Sequence, residues 1–349
     1  MAVSQIYQRK IDHIQLCHQG DVQPKTANGL FDEVQLIHNA LPELKLSDID
    51  ISTHLLGKPI RAPLMVTGMT GGPQEAKDIN LAIAKICEKY GIPFGLGSQR
   101  IMLREAESVD SFMVRSVAPT IPIIGNLGVN QIRDLGIEQT KALFERIEAD
   151  FLAVHLNPAM ELVQADADAD QDFTLGYETI ARINEALDGK VLVKECGCGL
   201  SQDVVRNLMA IGVRAVDLSG TGGTSWIKVE ALRNEKMGAY LGNLMENWGI
   251  PTAAAILSTQ HLAIQKIASG GINDPLIAAK AIALGADLAG FARPILKAYL
   301  DTGEEGADFL MDAMVRTLKL NMILTGSRNL KAFQAQPKII GFGLRQWIS

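Results

Sequence analysis

The stretch 151-FLAVHLN-157 holds four apolar residues in a row and turns polar only at His155 and Asn157. A half-buried strand would alternate from the start. A near-continuous apolar run instead suits a parallel strand covered on both faces, whose exit alone meets solvent or a site. The same form recurs at 63-PLMVTG-68, 93-PFGLGS-98, 122-PIIGN-126, 191-VLVKE-195, 215-AVDLSG-220, 266-KIASGG-271 and 287-DLAGFA-292, making eight runs in all. Helical spacing fills the intervals. In 75-EAKDINLAIAKICEKYG-91 the apolar positions Ile79, Ile83 and Ile86 share a face and Gly91 stands at the end. In 274-DPLIAAKAIALG-285, Asp274 is a cap, Pro275 opens the first turn and Gly285 lies past the end.

Eight strand-then-helix units across residues 60 to 325 predict a (β/α)8 TIM barrel, an α/β fold. A doubly wound open sheet usually needs fewer strands, and no G-x-G-x-x-G opens the first unit. The expected organisation is an N-terminal extension at 1–60 that contributes a substrate-capping segment, a barrel at 61–326, and a C-terminal tail at 327–349 with a short helix and an irregular end.

Of the 349 residues, 47% are hydrophobic and 21% charged, the balance of a globular enzyme. With 33 basic against 39 acidic residues the net charge is −6, which gives no reason to expect nucleic-acid binding. An anionic substrate would need a local basic pocket. Cys17, Cys87, Cys196 and Cys198 lack the paired spacing of a zinc site and read as reduced thiols. No apolar run reaches membrane-spanning length, and the N-terminus lacks a signal-peptide core; no membrane association and a cytoplasmic location are the expectations.

In a barrel, chemistry gathers where strands end. The ends here deliver Thr67 with 68-GMTGG-72, then Ser98 and Arg100, Asn126, His155 and Asn157 with Glu161 close behind, Lys194 and Glu195, Ser219 with 220-GTGGTSW-226, 269-SGG-271, and Ala289, Gly290 and Arg293. Glycines after strands six, seven and eight let backbone N–H groups approach a phosphate, although turns also need glycine. Lys194 ends an apolar strand and reads as a nucleophile, as a cation beside an anionic ring, or as a mouth ion pair with Glu195. Alternation, which turns Glu195 to the other face, weakens the last. Glu161, a lone carboxylate, suits magnesium whose remaining ligands are phosphate oxygens, or is an exposed loop residue. The 165-ADADAD-170 run reads as a solvated edge, without the glycine and glutamate an EF-hand needs. In 9-RKIDH-13 the cations form either an exposed helix start or a segment that folds over the mouth and clamps a diphosphate.

Taken jointly, RK..H at Arg9, Lys10 and His13, MTGG at 69–72, GSQR at 97–100, NLG at 126–128, HLN at 155–157, VKE.G.G at 193–199, SG.GGTSW at 219–226, NWG at 247–249 and SGG at 269–271 resemble the type 2 isopentenyl-diphosphate isomerases. The resemblance runs nearly the length of the chain. It implies an FMN-dependent barrel that interconverts isopentenyl and dimethylallyl diphosphate with reduced FMN, Mg2+ and NADPH as reductant, in a homo-oligomer, a tetramer or octamer.

By the same resemblance the flavin lies against Gly68, Met69, Thr70, Ser98, Asn126, Lys194, Ser219, Thr224, Gly270, Gly271, Ala289 and Gly290. Arg9, Lys10, His13, Ser98, Arg100, His155 and Asn157 face the substrate, with Met160 on the same wall, and Glu161 reaches the metal. Lys194, Glu230 and His155 take the catalytic roles, Glu230 in a proton relay.

Two positions depart from the family pattern: Met160 stands where HLN..QE has glutamine, and Asn273 where relatives often carry arginine. A thioether cannot donate a proton. Two other readings are a non-catalytic or attenuated binder of flavin or isoprenoid diphosphate, and an FMN-dependent oxidoreductase of the hydroxy-acid oxidase type. The latter needs a histidine base late in the barrel, and none follows His261.

Overall fold

The computed structural model describes residues 5–25, 28–164, 171–234 and 236–348. Eight parallel strands close into a barrel in chain order: β1 (Leu64–Val66), β2 (Phe94–Gly95), β3 (Ile123–Gly128), β4 (Phe151–Leu156), β5 (Val191–Glu195), β6 (Ala215–Asp217), β7 (Gln265–Ala268) and β8 (Leu288–Phe291). Each pairs with the next, and β8 returns to β1 through Ala289↔Leu64 and Phe291↔Val66. The eight apolar runs of the sequence are these eight strands. Both of their faces are covered, as the runs imply. The outer faces pack on surrounding helices in one large core, and the inner faces form a second, smaller core of Met65, Ile124, Ala153, Leu192, Ala215, Ile267 and Leu288.

The helices that bear on the site are α1 (Gln5–Gln19), α2 (Gln74–Tyr90), α3 (Pro158–Val163), α4 (Trp226–Arg233), α5 (Pro275–Ala283) and α6 (Arg293–Leu324). Gly91 ends α2 with φ +65, and the Asp274 carboxylate accepts the N–H groups of Leu276 and Ile277 to start α5. One interval differs from the expected repeat. Between β2 and β3 the described chain forms two 3-10 segments, Gln99–Leu103 and Ala106–Phe112, and no α-helix. They bury Ile101, Met102, Val109 and Phe112 at the rim, and Asn80 of α2 ties them down by donating to Ser111 O at 2.8 Å.

The extension closes both ends of the barrel. Strands Thr53–Leu55 and Lys58–Ile60 form a hairpin whose turn residues Leu56 and Gly57 both have positive φ, as a primed two-residue turn requires. Leu55 and Ile60 join the inner core, so the hairpin plugs the bottom. Helix α1 crosses the opposite, open end. The tail adds an element that the sequence did not suggest: Lys338–Ile340 pairs antiparallel with Val34–Leu36 and fastens the end of the chain to the extension. The 165–170 stretch lies outside the described residues; just after it, exposed Asp172 accepts bonds from Thr174 N and Oγ1.

Candidate active site

The inner core dictates the site. Side chains on a strand repeat with period two, so the residue two positions past each inner-core residue faces the same side, one layer higher. Those residues are Thr67, Asn126, His155, Lys194, Asp217, Ser269 and Gly290. Two adjoining cavities of about 170 Å³ each open on this polar layer, and both are lined by Lys10, His13, Gly68, Met69, Lys194, Cys196 and Trp226.

The first cavity lies over β6, β7, β8 and β1. Thr70, Ser219, Thr224, Gly270, Gly271 and Gly290 line it, together with Gly68, Met69 and Lys194. Gly270 has φ +89, and a Cβ there would stand 1.9 Å from Gly220 O, so the loop can only be glycine if its backbone is to face the cavity. The N-terminus of α6, at Arg293 and Pro294, reaches the same wall. Glycine-backed N–H groups at the ends of β7 and β8 with a helix start beside them suit a phosphate, and the remaining floor suits a flat ring. These residues fit FMN. Ala289 lines neither cavity; it is fully buried one residue before Gly290. Arg293, on this wall, donates to Cys17 O at 2.8 Å and Gly20 O at 3.1 Å and so grips the C-terminal end of α1. Asn273 also lines this cavity, with its amide donating to Gly222 O.

The second cavity gathers every residue expected at the substrate: Arg9, Lys10, His13, Ser98, Arg100, His155, Asn157 and Met160, with Glu161. Asn126 lies on its wall, and so does Ser98, whose Oγ caps Arg100 N. Asn126 Nδ2 donates to Leu96 O, which leaves Oδ1 as the acceptor for His155 Nδ1–H at 2.8 Å. His155 Nε2 then carries a lone pair. Burial first, then the charges of Lys194, Lys10 and Arg100, hold this ring neutral by lowering it to about 3.

Burial also depresses Lys10 to about 8, with Arg9 and Arg100 adding repulsion. Such convergent cations are complementary to a multiply charged anion. Glu161, 4% exposed on α3, accepts from Asn157 Nδ2 at 2.9 Å. Among the described residues no group of three or more His, Cys, Asp or Glu could hold a metal, so a cation at Glu161 needs oxygens from a ligand.

Glu230, expected in the catalytic set, lines neither cavity and is 1% exposed. It accepts from His13 Nε2 at 3.0 Å, Arg9 at 3.3 Å and Arg233 at 2.8 Å. Burial acts to raise its carboxyl, but His13, Arg9 and Arg233 outweigh it and bring it to about 2. His13 is lowered to about 4, by burial above all, against the pull of Glu230. Its ring packs edge-on to Trp226, centroids 5.0 Å apart. Glu230 thus anchors α1 across the mouth, which favours the clamp reading of 9-RKIDH-13 over an exposed helix start.

Two carboxylates beside the site, Glu195 and Asp217, were not among the expected site residues. Glu195 faces away from the cavities, and its Oε2 accepts the N–H groups of Cys196 and Gly197, both at 2.6 Å, and those of Cys198 and Gly199. It shapes the 196–199 turn, while Lys194 Nζ donates to the main-chain Glu195 O at 2.5 Å instead of forming a carboxylate pair. Asp217, fully buried, belongs to the polar layer itself. Its signal was available: in AVDLSG it follows the inner-core Ala215 by two. All four cysteines are free thiols, Cys17 and Cys87 buried.

The family model of FMN-dependent dehydrogenases matches residues 2–113 and 130–339. Curated relatives named isopentenyl-diphosphate delta-isomerase include one from Metallosphaera sedula, 40% identical over 97% of this chain and 94% of its own, and one from Sulfurisphaera tokodaii, 39% identical over 98% and 94%. One from Pyrococcus furiosus is 37% identical over 97% and 88%. Among solved structures, a flavocytochrome b2 variant with sulfite bound superposes with a TM-score of 0.69 at 16% identity, covering 95% of this chain and 83% of that one. A lactate oxidase from Pediococcus acidilactici gives 0.67 at 13%, covering 97% and 95%. At such identities these two speak for the barrel fold alone.

Proposed function

Because the chain belongs to the FMN-dependent dehydrogenase family and, within it, to the isopentenyl-diphosphate delta-isomerases, we propose that it interconverts isopentenyl and dimethylallyl diphosphate on reduced FMN, with Mg2+ at the diphosphate and NADPH as reductant. The observation that carries this reading is the pairing of two cavities through Lys194: one fits a flavin, and the other gathers Arg9, Lys10 and Arg100 opposite Glu161.

Moving an unactivated double bond needs a proton added at one carbon and another removed two carbons away, with positive charge between. When bound, reduced FMN supplies an electron-rich face to that charge and a nitrogen able to exchange the proton. The chain's own residues do the rest. Lys194 places a cation at the floor shared by both cavities; burial acts to lower its pKa, and Cys196, Asp217 and Glu195 together raise it, so it stays charged. Arg9, Lys10 and Arg100 bind the diphosphate, and Glu161, oriented by Asn157 Nδ2, would hold the Mg2+ that offsets its charge. Neutral His155 turns its Nε2 lone pair to the substrate. Glu230 is held as a carboxylate and reaches the cavity through His13, so any relay from it passes through that ring. Trp226 and α1 keep water from the alkene.

Met160 sets this chain apart from the pattern of its relatives, and Asn157 Nδ2 lies 3.7 Å from its sulfur. The amide keeps its bond to Glu161, so metal binding is preserved where a proton donor is lost. Anaerobic mixing separates the readings. The isomerase reading expects dimethylallyl diphosphate from isopentenyl diphosphate with reduced FMN and Mg2+, and no bleaching of oxidised flavin by lactate or mandelate. Bleaching by a 2-hydroxy acid without isomerisation would make the protein an oxidoreductase; normal flavin binding with neither reaction would make it a binder.

A further inference from the structure

Among the described residues, Asp217 is the charged member of the polar layer that lines neither cavity, and it is 0% exposed. On adjacent parallel strands it is the register partner of Lys194, and the two side chains share the inner face of the barrel. One oxygen, Oδ1, accepts Ser269 Oγ–H at 2.6 Å and Ser219 N–H at 3.2 Å. The second bond closes an Asx turn that holds Ser219 at φ +42, a conformation rare for a residue with a side chain. Ser219 and Ser269 both line the first cavity. The other oxygen, Oδ2, makes no hydrogen bond among the described residues. Burial raises the Asp217 carboxyl above its ordinary range, and Lys194 on the neighbouring strand, then the bonds from Ser269 and Ser219, oppose that rise and favour its charged form.

We propose that Asp217 is a positioning residue of the flavin site: through Oδ1 it fixes the ends of β6 and β7, and through its buried charge it limits how strongly Lys194 stabilises an anionic ring. This rests on the flavin reading above. The arrangement has a use in an enzyme that must hold both redox states of its cofactor. An unopposed buried lysine would favour the anionic reduced ring heavily over the neutral oxidised one. A carboxylate behind it, too deep to touch the ring, moderates that preference without blocking the cavity.

The test is the ratio of affinities for reduced and oxidised FMN, measured by spectroelectrochemistry on flavin-loaded protein and by titration of the apoprotein. Asp217→Asn keeps an oxygen for Ser219 and Ser269 but removes the charge. The reduced-to-oxidised affinity ratio is expected to rise at least tenfold, an upward shift of about 30 mV for a two-electron couple. Asp217→Ser, smaller and also uncharged, should shift the ratio the same way. A residue that merely supports the backbone would weaken both redox states together and leave the ratio unmoved. An unchanged ratio in a folded, flavin-binding variant overturns the proposal. Failure of both variants to fold does so too, because Asp217 would then serve the barrel and not the flavin. Wild-type protein that binds no FMN would instead sink the functional reading itself.

Discussion

Glu161, Met160 and Asn157 occupy one turn of chain, and each makes a separable contribution to the second cavity. Glu161→Gln keeps the shape and an acceptor for Asn157 but gives up the charge that a hard cation needs. The Mg2+ concentration for half-maximal activity should rise at least tenfold, with FMN affinity unchanged; an unaltered Mg2+ dependence would remove Glu161 from the metal. Met160→Gln adds a donor and acceptor on the same wall. Turnover is expected to rise several-fold with little change in KM. A fall in kcat would mean that this site has been rebuilt around the thioether.

At this scale the sequence disclosed which residues meet, because each follows a strand. Every residue expected at the substrate lines one cavity. What it withheld was the hidden supports. Glu195 looks like an ordinary strand-end carboxylate until its bonds to the 196–199 turn are known, and Asp217 showed its place two past Ala215 but neither its complete burial nor its tie to Ser269. Glu230 showed its place in a motif but not its three partners from α1 and α4, since Arg9 and His13 lie more than two hundred residues away in sequence.

Helix α1 is the element on which substrate access turns. Glu230 binds Arg9 and His13, Arg293 binds the carbonyls of Cys17 and Gly20, Lys297 binds His18 O and Asp301 binds His18. Its hold is pH-dependent. Glu230 is depressed to about 2 from an ordinary 4.5, so its contribution is present above about 4.5 and lost as pH falls toward 2. His13 and His155 are held neutral in the fold, at about 4 and 3 against 6.5, so protons that bind the unfolded chain first erode stability below about pH 6.5. The signs agree. Urea unfolding should show stability falling by several kcal/mol between pH 6.5 and 4. In Glu230→Gln, the share of the loss below 4.5 that belongs to this carboxylate should disappear, leaving that of His155, and KM should rise about tenfold or more, from the loss of charge-assisted bonds worth about 1.5–3 kcal/mol each. An unchanged KM would show that α1 does not depend on this anchor.

Elements with a local pattern were legible: the apolar runs became strands, and Gly91 and Asp274 bound their helices as read. The 3-10 segments after β2 were not, because Ile101, Met102, Val109 and Phe112 are buried by packing at the rim and not by a helical stripe. Nor was the pairing of 34–36 with 338–340, three residues each and three hundred apart in sequence, where no periodicity can accumulate.

The barrel as a whole was legible because burial on both faces leaves the same mark eight times, and the strand-end rule turned that count into a site. The order of strands around the barrel follows from short right-handed connections. A single ligand bridging loops from β1, β6, β7 and β8 should stabilise the entire molecule. At a hundredfold excess over Kd, FMN is expected to add about 2.7 kcal/mol and raise Tm by a few degrees. Unfolding without any shift in Tm would contradict a bound flavin.

The most direct measurement is proton NMR of isopentenyl diphosphate in D2O, held anaerobically with the protein, reduced FMN and Mg2+. Vinyl resonances should give way to the methyl resonances of dimethylallyl diphosphate, with deuterium entering both isomers. Isopentenyl diphosphate recovered unchanged and undeuterated, from protein that carries stoichiometric reduced flavin, would contradict the account.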